Sequence, residues 1–194
     1  MASVRARNIE KLLGSIEVLI VDDNAYIRKV VRNLLVGFGV KNVHEAIDGI
    51  AGLEAIRTLA PTLVILDWEM PLLNGAELVR IVRAPGVFPL PEIPIIMLTG
   101  HVERWRVLEA VKLGVNEFLR KPVSGQALLD RILSILLKPR SMVRVGDYYG
   151  PEPRKSGWQP PTTTGDVDLE KPSDHQPPDD SAEPGEEGVE RVLL

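Results

Sequence analysis

The chain has 194 residues, a formal net charge of −4 and no cysteine. That length allows one full domain with an extension, and the missing thiols exclude disulfide frameworks, thiolate zinc sites and cysteine nucleophiles. A hydrophobic fraction of 44% suffices for one substantial core; no apolar run has the length of a membrane span and the N-terminus has no apolar leader core, so a cytoplasmic protein without membrane insertion is expected.

Residues 1–15 read as a polar lead. Ile16 to Val21 is the first apolar run, a buried strand ending in Asp22-Asp23, with Asn24 placed to cap a helix. From Ala25 to Val36, apolar Ile27, Val30, Val31, Leu34 and Leu35 recur at helical spacing, and Gly37 closes the helix. Asn42 to Ile47 is a short second strand, and Asp48-Gly49 turns into a helix running through Leu59.

Leu63-Val64-Ile65-Leu66 leads without polar interruption into Asp67, between Pro61 and Pro71. Such a run reads as a strand buried on both faces, the kind found in parallel sheets covered by helices. Gly75 to Arg83 is a third helix, and the proline-rich stretch Ala84 to Pro94 a loop. Ile95 to Leu98 is a fourth strand ending at Thr99-Gly100. Val102 to Leu113 is a helix closed by Gly114, and Val115 to Leu119 a fifth strand followed by Lys121-Pro122. Ser124 opens a last helix whose apolar stripe runs from Leu128 to Leu137.

Five alternating strand–helix units imply an α/β domain over 16–138: a doubly wound five-stranded parallel sheet with helices on both faces. The remainder, 139–194, holds nine of the sixteen prolines. From residue 152 onward it carries 4 basic and 11 acidic residues. This tail is expected to be mostly disordered. Val143, Val145, Tyr148 and Tyr149 are its apolar cluster, placed to fold back on the domain, to dock on a partner or to stay loosely solvated. The body before it has a basic excess of three, too small to point to nucleic acid.

The carboxyl ends of the strands carry Asp22 and Asp23, Asp67, Thr99 and Lys121. In a flavodoxin-like sheet of order 2-1-3-4-5, the strands bearing them are contiguous and the ligand crevice lies between the first and third. Singly, each residue has a structural explanation: a cap, a strand-end turn, a surface charge. Together they bring three carboxylates to one edge with a hydroxyl and an ammonium. Crowded carboxylates call for a cation, and oxygen-only ligands suit Mg²⁺. A carboxylate nucleophile, a metal and a lysine meet the needs of phosphoryl transfer, which are positioning and charge neutralisation.

From about Glu17 to Leu137 the chain resembles the receiver domain of bacterial two-component response regulators. The matching residues are Asp22-Asp23, Asp67-x-x-Met70-Pro71 with Gly75 beyond, Thr99-Gly100, Gly114, and Phe118-x-x-Lys121-Pro122. The resemblance implies that Asp67 accepts a phosphoryl group from a histidine kinase or phosphotransfer protein, with Mg²⁺ held by Asp22 or Asp23, Asp67 and the Glu69 carbonyl. It implies that Thr99 moves toward the phosphate, that Phe118 turns inward and that Lys121 contacts a phosphoryl oxygen. It also implies a cis Lys121–Pro122 bond and a tuning role for Glu69 and His101, which follow Asp67 and Thr99 by two positions. In the family the output surface is the fourth helix, fifth strand and fifth helix, here 102–113, 115–119 and 124–137.

The expectation is therefore a phosphorylation-switched protein-binding module of the stand-alone type, with no helix-turn-helix after Pro139 and no catalysis beyond its own phosphotransfer and dephosphorylation. Two alternatives stand beside it. A pseudo-receiver scaffold would bind its partner irrespective of phosphate. A haloacid-dehalogenase-like phosphatase would use the same groups, but with the nucleophile on the first motif strand and the acidic pair last, the reverse of the order here.

Overall fold

Five strands form the frame, three of them runs of β-branched and long aliphatic residues. β1 (Glu17–Val21), β3 (Leu63–Asp67) and β4 (Ile95–Thr99) fill the middle of one parallel sheet, with β2 (Asn42–Ala46) and β5 (Glu117–Arg120) at its two sides. The order is β2-β1-β3-β4-β5, the expected doubly wound arrangement. The computed structural model describes residues 2–100 and 104–154, within the first of the chain's two units, residues 1–163; the second, Thr164–Leu194, lies outside them.

β3 and β4 are buried at every position, and their period of two explains why no polar residue interrupts them. Val64, Leu66, Ile95 and Met97 face one helical layer. Leu63, Ile65, Ile96 and Leu98 face the other. The first layer is α3 (Gly49–Leu59), α4 (Gly75–Val82) and α5 (Arg104–Lys112), contributing Ile56, Leu78, Val79, Val82 and Ala110. The second is α2 (Ala25–Gly37) and α6 (Gly125–Leu137), contributing Val31, Leu35, Leu128, Ile132 and Ile135. Each such aliphatic side chain stabilises the fold by about 1.5–3 kcal/mol on burial, so the two layers hold the sheet rigidly under its carboxyl edge.

The helices start where the sequence supplies side-chain oxygens. Asn24 accepts from the Tyr26 and Ile27 amides, Asp48 from Ala51, and Ser124 from Ala127. Asn74 and Glu77 form a reciprocal capping box at α4. The proline-rich stretch 84–94 is a loop, pinned by buried Phe88 and Ile93.

Three regions differ from the sequence reading. The lead folds as a helix, α1 (Ala2–Ser15), because Leu13 and the following Ile16 are buried against β1 and Ile9 packs behind them. β5 starts at Glu117 rather than Val115, because the Val115 amide still donates back to the Ala110 carbonyl of α5 at 3.1 Å. The chain after α6 forms a hairpin, β6 (Met142–Val145) and β7 (Tyr148–Pro151), with Tyr148 buried. This is the fold-back alternative for the apolar cluster of the tail; residues 155–194 lie outside the described ones. Among the described residues no helix is long and apolar enough to cross a membrane.

Candidate functional site

The site is built from strand ends. Asp22 follows β1 and is completely buried, while Asp23 beside it is exposed. Asp22 Oδ1 accepts from the Asn24 amide at 2.9 Å, which turns the chain into α2. Arg28, one turn into that helix, donates from Nη1 to the carbonyls of Asp22 and Asp23 at 2.9 and 3.2 Å, and its Nε pairs with Glu45. Arg28 thus fixes the acidic pair by its backbone, leaving Asp22 Oδ2 and the Asp23 carboxylate for other work.

Asp67 ends β3 between β1 and β4 and is buried. The chain beyond it is held down twice: the Trp68 amide donates to the Leu98 carbonyl, and the Gly75 amide to the Trp68 carbonyl, both at 2.9 Å. A Cβ on Gly75 would collide with the Asp67 carbonyl oxygen, which is why a glycine stands at the start of α4.

Lys121 closes the constellation. Its Nζ lies 2.8 Å from Asp22 Oδ2 and 2.8 Å from Asp67 Oδ1. Its amide donates to the Thr99 carbonyl at 2.7 Å, joining the ends of β4 and β5, and the Lys121–Pro122 bond is cis. Thr99 is completely buried at the end of β4. Phe118 is partly buried on β5, packed against the α3–α4–α5 layer.

Burial raises the Asp67 pKa, and the neighbouring Asp22 charge adds to the rise; the Lys121 hydrogen bond opposes both without cancelling them. Burial would lower Lys121, but its hydrogen bonds to Asp22 and Asp67 outweigh that and hold it above its ordinary value. Asp67 moves upward because burial outweighs its hydrogen bond to Lys121, and Lys121 because two carboxylates hold its ammonium. Carboxylate oxygens of Asp22, Asp23 and Asp67 lie within 4.8 Å of one another. An all-oxygen donor set with this surplus negative charge fits a hard divalent cation such as Mg²⁺.

The strand-end residues named from sequence, Asp22, Asp23, Asp67, Thr99 and Lys121, do meet at one edge. His101 lies outside the described residues. Glu69 is exposed, and its carboxylate pairs at 2.8 Å with Nη1 of Arg106, whose guanidinium stands 5.6 Å over the Trp68 ring. Arg106 escaped the sequence reading because its pairing is a long-range contact between α5 and the loop after β3. Arg28 had a local signal, its place one turn after an acidic pair and a capping Asn. An open cleft of about 420 Å³ lies beside the site, lined by Asp23, Trp68, Glu69, Met70, Asn74 and Arg106 among others.

A 2-1-3-4-5 sheet with a buried aspartate, an acidic pair and a shared lysine at its carboxyl edge has the form of a receiver-type signalling domain. The chain belongs to the response regulator receiver domain family, whose model matches residues 18–133. It is similar to chemotaxis protein CheY1 of Helicobacter pylori strain J99, with 38% identity over 62% of this chain and 96% of that one. Chemotaxis protein CheY of Pseudomonas aeruginosa is 35% identical over 61% and 94%. Among solved structures, chemotaxis protein CheY4 of Vibrio cholerae is 30% identical with a TM-score of 0.56, covering 62% of this chain and 98% of its own. The receiver domain of Francisella response regulator 1452 is 29% identical with a TM-score of 0.57, covering 64% and 98%. Receiver domains of this family are phosphorelay signalling domains.

Proposed function

We propose that Asp67 is the phosphoryl acceptor of a phosphorelay and that its phosphorylation switches the protein's contacts with a partner protein. The observation that carries this is the position of Lys121 Nζ, 2.8 Å from both Asp22 and Asp67: a cation is already in place beside the carboxylate that would bear the new charge. An Asp67 Oδ attacks the phosphorus of a phosphohistidine on a histidine kinase or phosphotransfer protein. A P–O bond forms as the P–N bond breaks, and the departing imidazole nitrogen keeps the bonding pair. Asp22 or Asp23, Asp67 and the Glu69 carbonyl would hold Mg²⁺, which supplies charge neutralisation for the transferring group.

The product carries roughly two negative charges. Lys121 stabilises one phosphoryl oxygen by a charge-assisted hydrogen bond, and the Thr99 hydroxyl donates to another. The Lys121 amide bonds the Thr99 carbonyl, so movement of the β4 end toward the phosphate is passed to β5 and Phe118. Glu69, paired with Arg106, and His101 tune the lifetime of the acyl phosphate. The output surface is α5, β5 and α6, and the partner there is a protein rather than nucleic acid. On this reading the site of action is the cytoplasm.

Incubation with Mg²⁺ and a small phosphodonor such as acetyl phosphate should add one phosphate to the intact mass, and Asp67→Asn should add none. A phosphate retained in Asp67→Asn overturns the assignment.

A further inference from the structure

The chain after α6 stays on the domain. The hairpin β6–β7 is seated against the turn between α5 and β5, where two glycines meet. A Cβ on Gly150 would stand 2.5 Å from the Gly114 Cα, and one on Gly114 would stand 2.5 Å from the Tyr149 carbonyl oxygen. Tyr148 is buried there, its Oη donating to the Pro151 carbonyl at 2.7 Å, and Tyr149 Oη donates to Glu92 at 3.1 Å.

From Pro151 the chain lies against β5. Arg140 braces it, donating to the Glu152 carbonyl at 3.1 Å and to the Asn116 carbonyl. Arg154 anchors its end, donating to the Glu117 carboxylate and, at 3.3 Å, to Ser134 Oγ. Glu117 is buried on β5 and takes Arg131 of α6 on its other oxygen at 3.5 Å. A groove of about 440 Å³ lies between this arm and the domain, with Pro153 and Arg154 on one side and Leu108, Val111 and Phe118 on the other.

We propose that residues 140–154 are a built-in occupant of the α5–β5–α6 face, displaced by a target protein whose extended, proline-bearing segment delivers an arginine to Glu117. The chemistry of the occupant defines that of the target. A buried carboxylate requires cationic partners, and Arg154 comes to Glu117 from outside the α/β core. Leu108, on the opposite wall, remains 49% exposed, so the arm leaves apolar surface that a fuller ligand would cover. The arm itself buries one large side chain, Tyr148, and otherwise rests on close backbone approach and polar anchors, the pattern of a segment that opens before the core does. Glu117 and Phe118 belong to the strand that ends at Lys121, so the arm's anchor and the phosphoryl site share one short piece of chain. This inference rests on the reading of that face as the output surface.

The test is a titration of a fluorescein-labelled peptide of residues 147–154 against full-length, unphosphorylated chains. Gly150→Val unseats the hairpin at Gly114, and Arg154→Glu places like charges together without touching the core. The peptide should bind Gly150→Val at least tenfold more tightly than wild type and Arg154→Glu at least threefold, and a peptide carrying Glu in place of the arginine should lose the binding. Equal affinity for wild type and both variants, or affinity indifferent to the peptide's arginine, overturns the proposal. Because Asp67 is unmodified throughout, these results stand apart from phosphate incorporation. A chain that takes up no phosphate yet shows the tenfold difference refutes the phosphorylation reading and supports the arm as occupant.

Discussion

Lys121 is asked to serve two buried carboxylates, and the residue left short is Asp67. Its native pKa is raised by burial and by Asp22, so the folded chain holds the Asp67 proton more tightly than the unfolded chain does. The stability from this group is therefore full below its ordinary value of 3.8 and lost as pH rises through the native value. At neutral pH the ionised side chain is a cost borne for function. Asp67→Asn should accordingly abolish phosphorylation and stabilise the fold by about 1 kcal/mol, seen as a Tm rise of roughly 2–4 °C. Lys121→Met should do the opposite, leaving two buried carboxylates without their ammonium at a cost of about 3 kcal/mol. Phosphate uptake from a small donor should also fall on acidification, with a midpoint above 3.8, measured as the initial rate against pH. The strand-end residues were readable from sequence because Asp22, Asp67 and Thr99 each close an apolar run and Lys121-Pro122 follows a fifth, shorter strand. Arg106 was not, since its role exists only once α5 lies beside the loop after β3.

At the scale of single elements, strands and caps follow from local chemistry, and α3 shows where that chemistry is unfavourable. Ala60 ends the helix in the left-handed region at φ 46°, directly before Pro61. A glycine adopts that conformation without the Cβ penalty, and Ala60 is exposed, so no packing is lost. Ala60→Gly should stabilise the protein by about 0.5–1 kcal/mol, raising the urea midpoint with an unchanged m-value. The helix α1 was also written locally, in Ile9, Leu12, Leu13 and Ile16 at helical spacing, but interleaved charges make so short a stripe look like a solvated lead. The hairpin had a weaker signal, the apolar cluster of Val143, Val145, Tyr148 and Tyr149, which left folding back and docking on a partner equally open. Tyr148, Gly150 and Pro151 take their fit from Gly114 and the turn around it, and nothing within 139–154 encodes that seat.

Over the whole molecule, Arg83 joins what the sheet does not. It is buried at the end of α4 and donates to the carbonyls of Gly114 and Pro91 at 2.9 and 2.6 Å, and to Asn116 Oδ1 at 3.1 Å. Burial pushes its guanidinium down to about 10, with Tyr148, Tyr149 and Glu92 drawing it back up. Arg83→Ala should cost about 3 kcal/mol through the acceptors it strands, read as a lower denaturant midpoint, with faster amide exchange from Gly114 through Tyr149. The parallel α/β architecture was legible from alternation, and the strand order and site position from the resemblance to receiver domains; the bracing by Arg83 was not, because its acceptors come from two separate loops. The seating of the hairpin has one more consequence. β5 is an edge strand, and an uncovered edge is a template for pairing with another chain. Arg140 occupies the Asn116 carbonyl beside it and Arg154 holds a segment across Glu117, so the arm also guards the sheet against aggregation, and a chain cut before Arg140 should self-associate as its concentration rises.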